Sequence, residues 1–284
     1  MSVLGNIYFA SPGFLRKIFG GIYKAYKDFG ADMRRALSER NFQKALIDSS
    51  EGKIEDLNIF EQKIYSQHGE DGISRAIFEK IGTVGKFCVE FGVGNGSECN
   101  TRYFIEKEGW DYLHMDAGDT VVPFTDIKRE FITAENINNL FAKYTVPREF
   151  DLLSIDIDYN DYWIWKAIED YRPRVVIIEY NASIPFGESR AVKYNPEASW
   201  DGTNYFGASL SAYIKLAEEK GYKLIGCDST GVNAFFVTRE LADKHFALKD
   251  AKQLYKPPRY GAKEGGEYIG HPPNNKNSDQ WINI

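Results

Sequence analysis

The stretch from Phe87 to Gly96, FCVEFGVGNG, restricts this chain more than any other. Phe87–Phe91 has the length and apolar character of a buried strand, and it runs directly into a turn carrying Gly92, Gly94 and Gly96. Glycine reaches backbone angles closed to other residues and lets the chain pass close to a ligand. A strand, a glycine-rich turn and a helix, here expected over Ser97–Lys107, form the unit with which α/β proteins hold nucleotides. Glu90 stands two residues ahead of Gly92.

Further apolar segments repeat this design. Tyr112–Met115 ends in Asp116, twenty residues after Gly96, where a carboxylate can accept hydrogen bonds from a ribose diol. Glu130–Ala134 reads as a third strand ending in Glu135 and Asn136, Asp151–Asp158 (DLLSIDID) as a fourth, and Pro173–Asn181 (PRVVIIEYN) as a fifth. Each apolar run finishes in polar residues, and ligands bind at the carboxyl ends of an open parallel sheet. Gly207–Lys220 has helical spacing, with Leu210, Tyr213, Ile214 and Ala217 on one face, and Gly221 is placed to end it. Tyr222–Cys227 and Asn233–Thr238 read as two closing strands around Ser229-Thr230-Gly231.

The turn reads E-x-G-x-G-x-G. A dinucleotide fingerprint, G-x-G-x-x-G, would need a glycine where Ser97 stands. The observed pattern resembles the first motif of class I S-adenosylmethionine-dependent methyltransferases. That resemblance implies a Rossmann-like α/β sheet of seven strands, mostly parallel with an antiparallel last strand, here carrying an N-terminal helical extension. It implies S-adenosylmethionine as cofactor, with Glu90 near the methionine moiety and Gly92, Gly94 and Asn95 in the turn. Asp116 would hold the ribose, Glu135 and Asn136 would border the adenine, and Gln67 and Asp156 would complete the set. Together SQHGEDGI, VEFGVGNGSE, LLSIDIDYNDYW, IEYN and FGASL look like a bacterial subgroup related to the FkbM type, whose members are often associated with surface-glycan or natural-product tailoring. IDIDYNDYW departs from that type's IDVEGxE pattern, so the acceptor and the base stay open. Two other classes stay open as well: an NAD(P)-dependent oxidoreductase, which also needs a glycine turn and Asp116, and a noncatalytic scaffold that keeps the fold.

The acceptor side is expected at the ends of the fourth and fifth strands. Asp156, Glu179 and Asn181 offer oxygen ligands of the kind Mg²⁺ prefers, and resemble the metal set of metal-dependent O-methyltransferases. The same groups can instead cap helices or bind the acceptor directly, and Asp161 is placed to N-cap a helix over Tyr162–Asp170. Asp158 and His68 are rival bases, His68 as the side-chain type most often used for general base work. His114 alternates within a strand and reads as structural. Ser183–Tyr205 is long and polar, and its Phe186, Tyr194, Trp200 and Tyr205 are candidates to stack on sugar rings.

Composition narrows the remaining choices. A net charge of −6 argues against nonspecific nucleic-acid binding. Cys88, Cys99 and Cys227 make neither an even disulfide framework nor a metal spacing. Without a signal segment or a long apolar run, a cytoplasmic protein with a small-molecule or glycan-precursor substrate is expected. Three parts are expected: a helical extension over 1–60, the cofactor domain over 61–250 and a polar tail over 251–284. In the extension, Phe14, Leu15, Ile18, Phe19, Ile22, Tyr23, Tyr26 and Phe29 recur at three-to-four spacing among many Lys and Arg. Such a helix packs on the catalytic domain or a second subunit, or lies on an anionic membrane surface.

Overall fold

The computed structural model describes residues 12–118, 126–274 and 280–284, and for part of the first helix the backbone alone. The side chains of Phe14, Leu15, Ile18, Phe19, Ile22, Tyr23 and Tyr26 lie outside the described residues. The chain divides into two compact units, one ending at Asp48 and one covering Ser49–Ile284. The first is built on one helix, α1 (Pro12–Asp48). Residues 49–60, expected with the extension, belong to the second unit, where Ile54 bridges to Phe246.

The second unit opens with α2 (Glu70–Ile81), which starts after Gly69 at a left-handed φ of 108°. One Asp71 carboxylate oxygen accepts the amides of Ile64, Tyr65 and Ser66, binding the preceding segment to the helix start. Then follow β1 (Phe87–Phe91), α3 (Arg102–Glu108), β2 (Asp111–Asp116), β3 (Ile127–Arg129), α4 (Ile137–Lys143) and β4 (Glu149–Ile155). Next come α5 (Asp161–Ala167), β5 (Arg172–Glu179), the short β6 (Arg190–Ala191), α6 (Leu210–Lys220), β7 (Tyr222–Cys227) and β8 (Asn233–Thr238).

Seven of these strands form one sheet in the order β3-β2-β1-β4-β5-β8-β7. β1 to β5 are parallel, and β8 runs antiparallel to both β5 and β7. Counted within the sheet the order is 3-2-1-4-5-7-6, so the expected α/β sheet with an antiparallel hairpin at its end is what the chain forms. β4, β5 and β8 are buried almost throughout, which accounts for their near-continuous apolar sequence.

Three boundaries differ from expectation. The third strand is Ile127–Arg129, and Glu130–Ala134 is the loop after it. β4 stops at Ile155, which leaves Asp156 and Asp158 on the connection to α5. Asp158 there has a left-handed φ of 65°. α5 ends at Ala167, before the Tyr162–Asp170 pattern does.

The tail docks on the sheet. Tyr180 donates its hydroxyl to the Lys256 carbonyl (2.6 Å), and the Arg259 amide donates to the Thr230 carbonyl (2.8 Å). Farther on, the Asn204 amide donates to the Pro272 carbonyl (2.9 Å), and Ile282–Asn283 pairs antiparallel with β6. Residues 256–274 are thereby laid beside the loop between β5 and α6, over the carboxyl edge of the sheet.

Candidate active site

β1 carries Glu90 and Gly92 to the middle of that edge. Glu90 is buried, and its Oε1 accepts the Asn100 amide (2.8 Å). Its Oε2 accepts both the amide (3.0 Å) and the hydroxyl (2.5 Å) of Thr101. Asn100 and Thr101 lead directly into α3, so the carboxylate serves amides that a helix start leaves without partners. This corrects the expectation of a helix over Ser97–Lys107 presenting its N-terminus to a ligand. Burial nevertheless raises the Glu90 pKa, against the pull of those hydrogen bonds.

The Thr101 hydroxyl also lies 2.8 Å from His114 Nε2. With its own proton directed at Glu90, it accepts from the ring, so Nε2 carries the imidazole proton. Burial lowers the His114 pKa to about 4. The ring is therefore neutral, a structural support for Glu90 through Thr101.

Two clefts open on the carboxyl edge, and Gly92 lines both. The first, of about 190 Å³, is half apolar, with Asp116, Phe131, Ile132, Asp158 and Ser199 in its walls. The second, of about 160 Å³, is polar, with Gln67, Glu70, Glu90, Gly94, Asn95 and Asp156 in its walls. Asp116 ends β2 between them; its carboxylate accepts the amides of Gly94 (2.8 Å) and Gly118 (2.7 Å). Glu70 is buried, with Oε1 accepting from Asn233 Nδ2 (2.9 Å) and Oε2 from the His68 amide (2.8 Å). A larger hollow, of about 410 Å³, lies at the opposite end of the sheet between Arg148, Trp165, Arg172 and Lys220. Its cations already hold Asp170, Glu240 and the Ile168 carbonyl, and it is remote from the strand ends that carry the polar groups.

The walls of the two clefts, together with Glu179, carry a concentration of acid. Asp156, Asp158 and Glu179 each bring a carboxylate oxygen within 4.8 Å of the others. Burial, reinforced by the neighbouring acids, pushes Asp156 and Glu179 well above the usual carboxylate range. Burial and Asp116 raise Asp158, which keeps a face open to solvent. Among the described residues, Glu179 Oε2 is a buried oxygen without a hydrogen-bond partner, as are Asp161 Oδ2 and the Tyr213 hydroxyl. Asp161 is the first residue of α5, not its cap, and its Oδ1 accepts the Ile157 amide (2.8 Å). Buried like charges with open lone pairs call for protons or a cation.

Some expected site residues stand elsewhere. The Asn181 amide donates to the carbonyls of Asn204 (2.8 Å) and Phe206 (3.0 Å), and its oxygen accepts the Ser183 amide (3.1 Å). It anchors the β5–α6 loop and has little left for a metal; Asp158 completes the acid trio instead. Asn136 ties the Phe131 carbonyl to the Thr133 amide, and Glu135 accepts the Tyr194 hydroxyl. Neither residue lines a cleft; Phe131 and Ile132 form that wall. His68 is half-buried and lines neither cleft. Gln67 and Asn95 do line the polar cleft, Gln67 with its amide on Glu98 (3.1 Å).

The β5–α6 loop and the tail contribute an aromatic group that the sequence did not bring together. The His271 ring lies 4.5 Å from Trp200, 5.3 Å from Tyr260 and 5.7 Å from Phe206, centroid to centroid. The Tyr260 hydroxyl is buried without a hydrogen-bond partner among the described residues, and burial together with the Glu179 charge raises its pKa.

No protein-family model and no curated protein matches the chain. Among solved structures, the chain is similar to the N-terminal domain of EvdMO1, determined in the presence of S-adenosylhomocysteine and D-fucose, at 14% identity and a TM-score of 0.38. That match covers 72% of this chain and 96% of the other. The CMeT domain of the citrinin polyketide synthase matches at 12% identity and a TM-score of 0.38, over 60% of this chain and 51% of that one. A Burkholderia thailandensis 1,6-didemethyltoxoflavin-N1-methyltransferase with bound S-adenosylhomocysteine matches at 11% identity and 0.37, over 58% and 74%. Overlays this loose carry no argument about chemistry.

Proposed function

We propose that this chain is an S-adenosylmethionine-dependent methyltransferase acting on a hydroxyl of a sugar or nucleotide-linked glycan precursor. The observation that carries the reading is the pair of clefts joined at Gly92, half-apolar on one side and polar on the other, with Asp116 between them. An adenosine joined to an amino acid has that same division. Phe131 and Ile132 offer apolar surface to a purine, and Asp116 offers a carboxylate to a ribose diol. Glu70, Glu90 and Gln67 line the end that suits a cationic sulfonium and an ammonium group.

Methyl transfer is an in-line displacement at carbon, so the protein contributes alignment and removal of the acceptor proton. Asp158 is the base this geometry favours over His68. It lies in the first cleft and faces solvent, and burial together with the Asp116 charge raises its pKa, which makes it a stronger base than an ordinary carboxylate. The left-handed backbone there aims the side chain at some cost in strain. Asp156 and Glu179, with the open lone pair on Glu179, fit a divalent cation such as Mg²⁺ beside that base. Such an ion, when bound, lowers the pKa of a coordinated hydroxyl. Trp200, Tyr260 and His271 offer ring faces on which a pyranose can stack.

Calorimetric titration with S-adenosylhomocysteine, and with NADH in parallel, tests the reading. Micromolar binding of the former, lost in Asp116→Ala, supports it. An NADH signal with no binding of the homocysteine product overturns it in favour of an oxidoreductase.

A further inference from the structure

The N-terminal unit carries a feature that catalysis does not use. α1 is helical for 37 residues, and large apolar side chains stand open along it: Phe29 is 62% exposed, Met33 51% and Leu37 50%. At about 100° per residue these positions, each four apart, form one slowly drifting stripe. The sequence continues the same line of positions upstream through 15, 18, 22 and 26, all apolar or aromatic. Exposed apolar stripes of this length mark a surface that meets something else.

Charge indicates what that is. Between Arg16 and Lys44 there are eight lysines and arginines against three acids, in a chain whose net charge is −6. Positions 27 and 34, both basic, fall along one edge of the stripe, while the acidic positions 32 and 39 fall along the other. Lys24, Lys27, Arg35, Arg40 and Lys44 are all exposed, and Arg40 and Lys44 continue the line of the stripe beyond Leu37. An apolar stripe with a cationic edge is the pattern of a helix that lies in the headgroup region of an anionic bilayer, its rings and thioether among the upper acyl chains. Among the described residues no helix is long and apolar enough to cross a membrane, so this one would lie along the surface.

We infer that α1 docks the protein on an anionic lipid surface through Phe29, Met33 and Leu37. The full chain is sedimented with vesicles of phosphatidylcholine alone and of phosphatidylcholine and phosphatidylglycerol in equal parts, alongside the variant Phe29→Ser/Met33→Ser/Leu37→Ser. The exposed positions make the variant's thermal midpoint an internal control, expected to match wild type. Wild type is expected to pellet with the mixed vesicles at least about tenfold more tightly than with the neutral ones, and less tightly as salt is raised. The variant is expected to lose that binding. Equal pelleting by wild type and variant, or none by either, overturns the inference. So does an apolar-to-serine effect confined to sedimentation velocity, where loss of a dimer would make the stripe a contact between two copies of this chain.

Discussion

Gly92 and the carbonyl of Asp156 are in direct apposition: a β-carbon on Gly92 would lie 1.3 Å from that oxygen. The residue that looks from the sequence like a cofactor glycine is thus demanded first by the meeting of β1 with the end of β4. Gly94, also at positive φ (53°), has nothing among the described residues within 4 Å of the same imagined atom. The two glycines should therefore fail differently. Gly92→Ala is expected to lower stability by on the order of 3 kcal/mol or more, because strain and overlap add. Gly94→Ala should cost about 1 kcal/mol in folding and weaken S-adenosylhomocysteine binding. Thermal unfolding and titration of both variants separate the two effects.

Phe131 presents its ring to the cleft with 51% of its surface exposed. Phe131→Ala should leave the thermal midpoint nearly unchanged and raise the dissociation constant for S-adenosylhomocysteine about tenfold, the worth of one lost ring stack. An unchanged affinity would place the purine elsewhere.

Glu179 is held among Asp156, Asp158 and Asp161, and burial, reinforced by their repulsion, raises its pKa. Glu179→Gln should raise the thermal midpoint in the absence of divalent ions by a few degrees, as a buried like charge is removed. The same change should abolish any stabilisation by added Mg²⁺, a second reading from the same melts.

The His114 pKa is depressed to about 4 from an ordinary value of 6.5. A folded state that disfavours the proton has its full stability above 6.5 and loses it as pH falls towards 4, where the unfolded chain binds the proton first. The loss over that window is on the order of 3 kcal/mol. His114→Gln can keep a donor for Thr101 but cannot titrate. Its stability should fall less than that of wild type between those two pH values, measured by denaturant unfolding at each.

What the sequence disclosed were the strands and their carboxyl ends. The boundaries of β7 and β8 coincide with the apolar runs because the flanking glycine and turn residues stop them sharply. Asp116 was legible for the same reason, as the first polar group after a buried run. Phe131 was hidden because Glu130–Ala134 resembles a strand, and only pairing with β2 decides that β3 ends at Arg129. Asn181 misled because an amide beside an acid looks like a ligand set, whereas its partners, Asn204 and Phe206, come from a loop whose path no local pattern fixes. Tyr260 and His271 gave no signal: they reach Trp200 through a tail without periodicity, fastened by hydrogen bonds to residues as distant as Tyr180, Ser183 and Asp201.

The docked tail and the β5–α6 loop have a consequence for how such a protein diversifies. The clefts beside Gly92 are made by strand termini, where each side chain is fixed by the register of a sheet that also forms the core. The aromatic group around His271, the acceptor end on the proposed reading, is largely made by two segments outside that register, fastened through Asn181, Tyr180 and Asn204. Substitutions between those fastenings alter the rings offered to an acceptor without disturbing the strands beneath. On the function proposed, such changes would alter which acceptor is taken and leave the donor's cleft as it is.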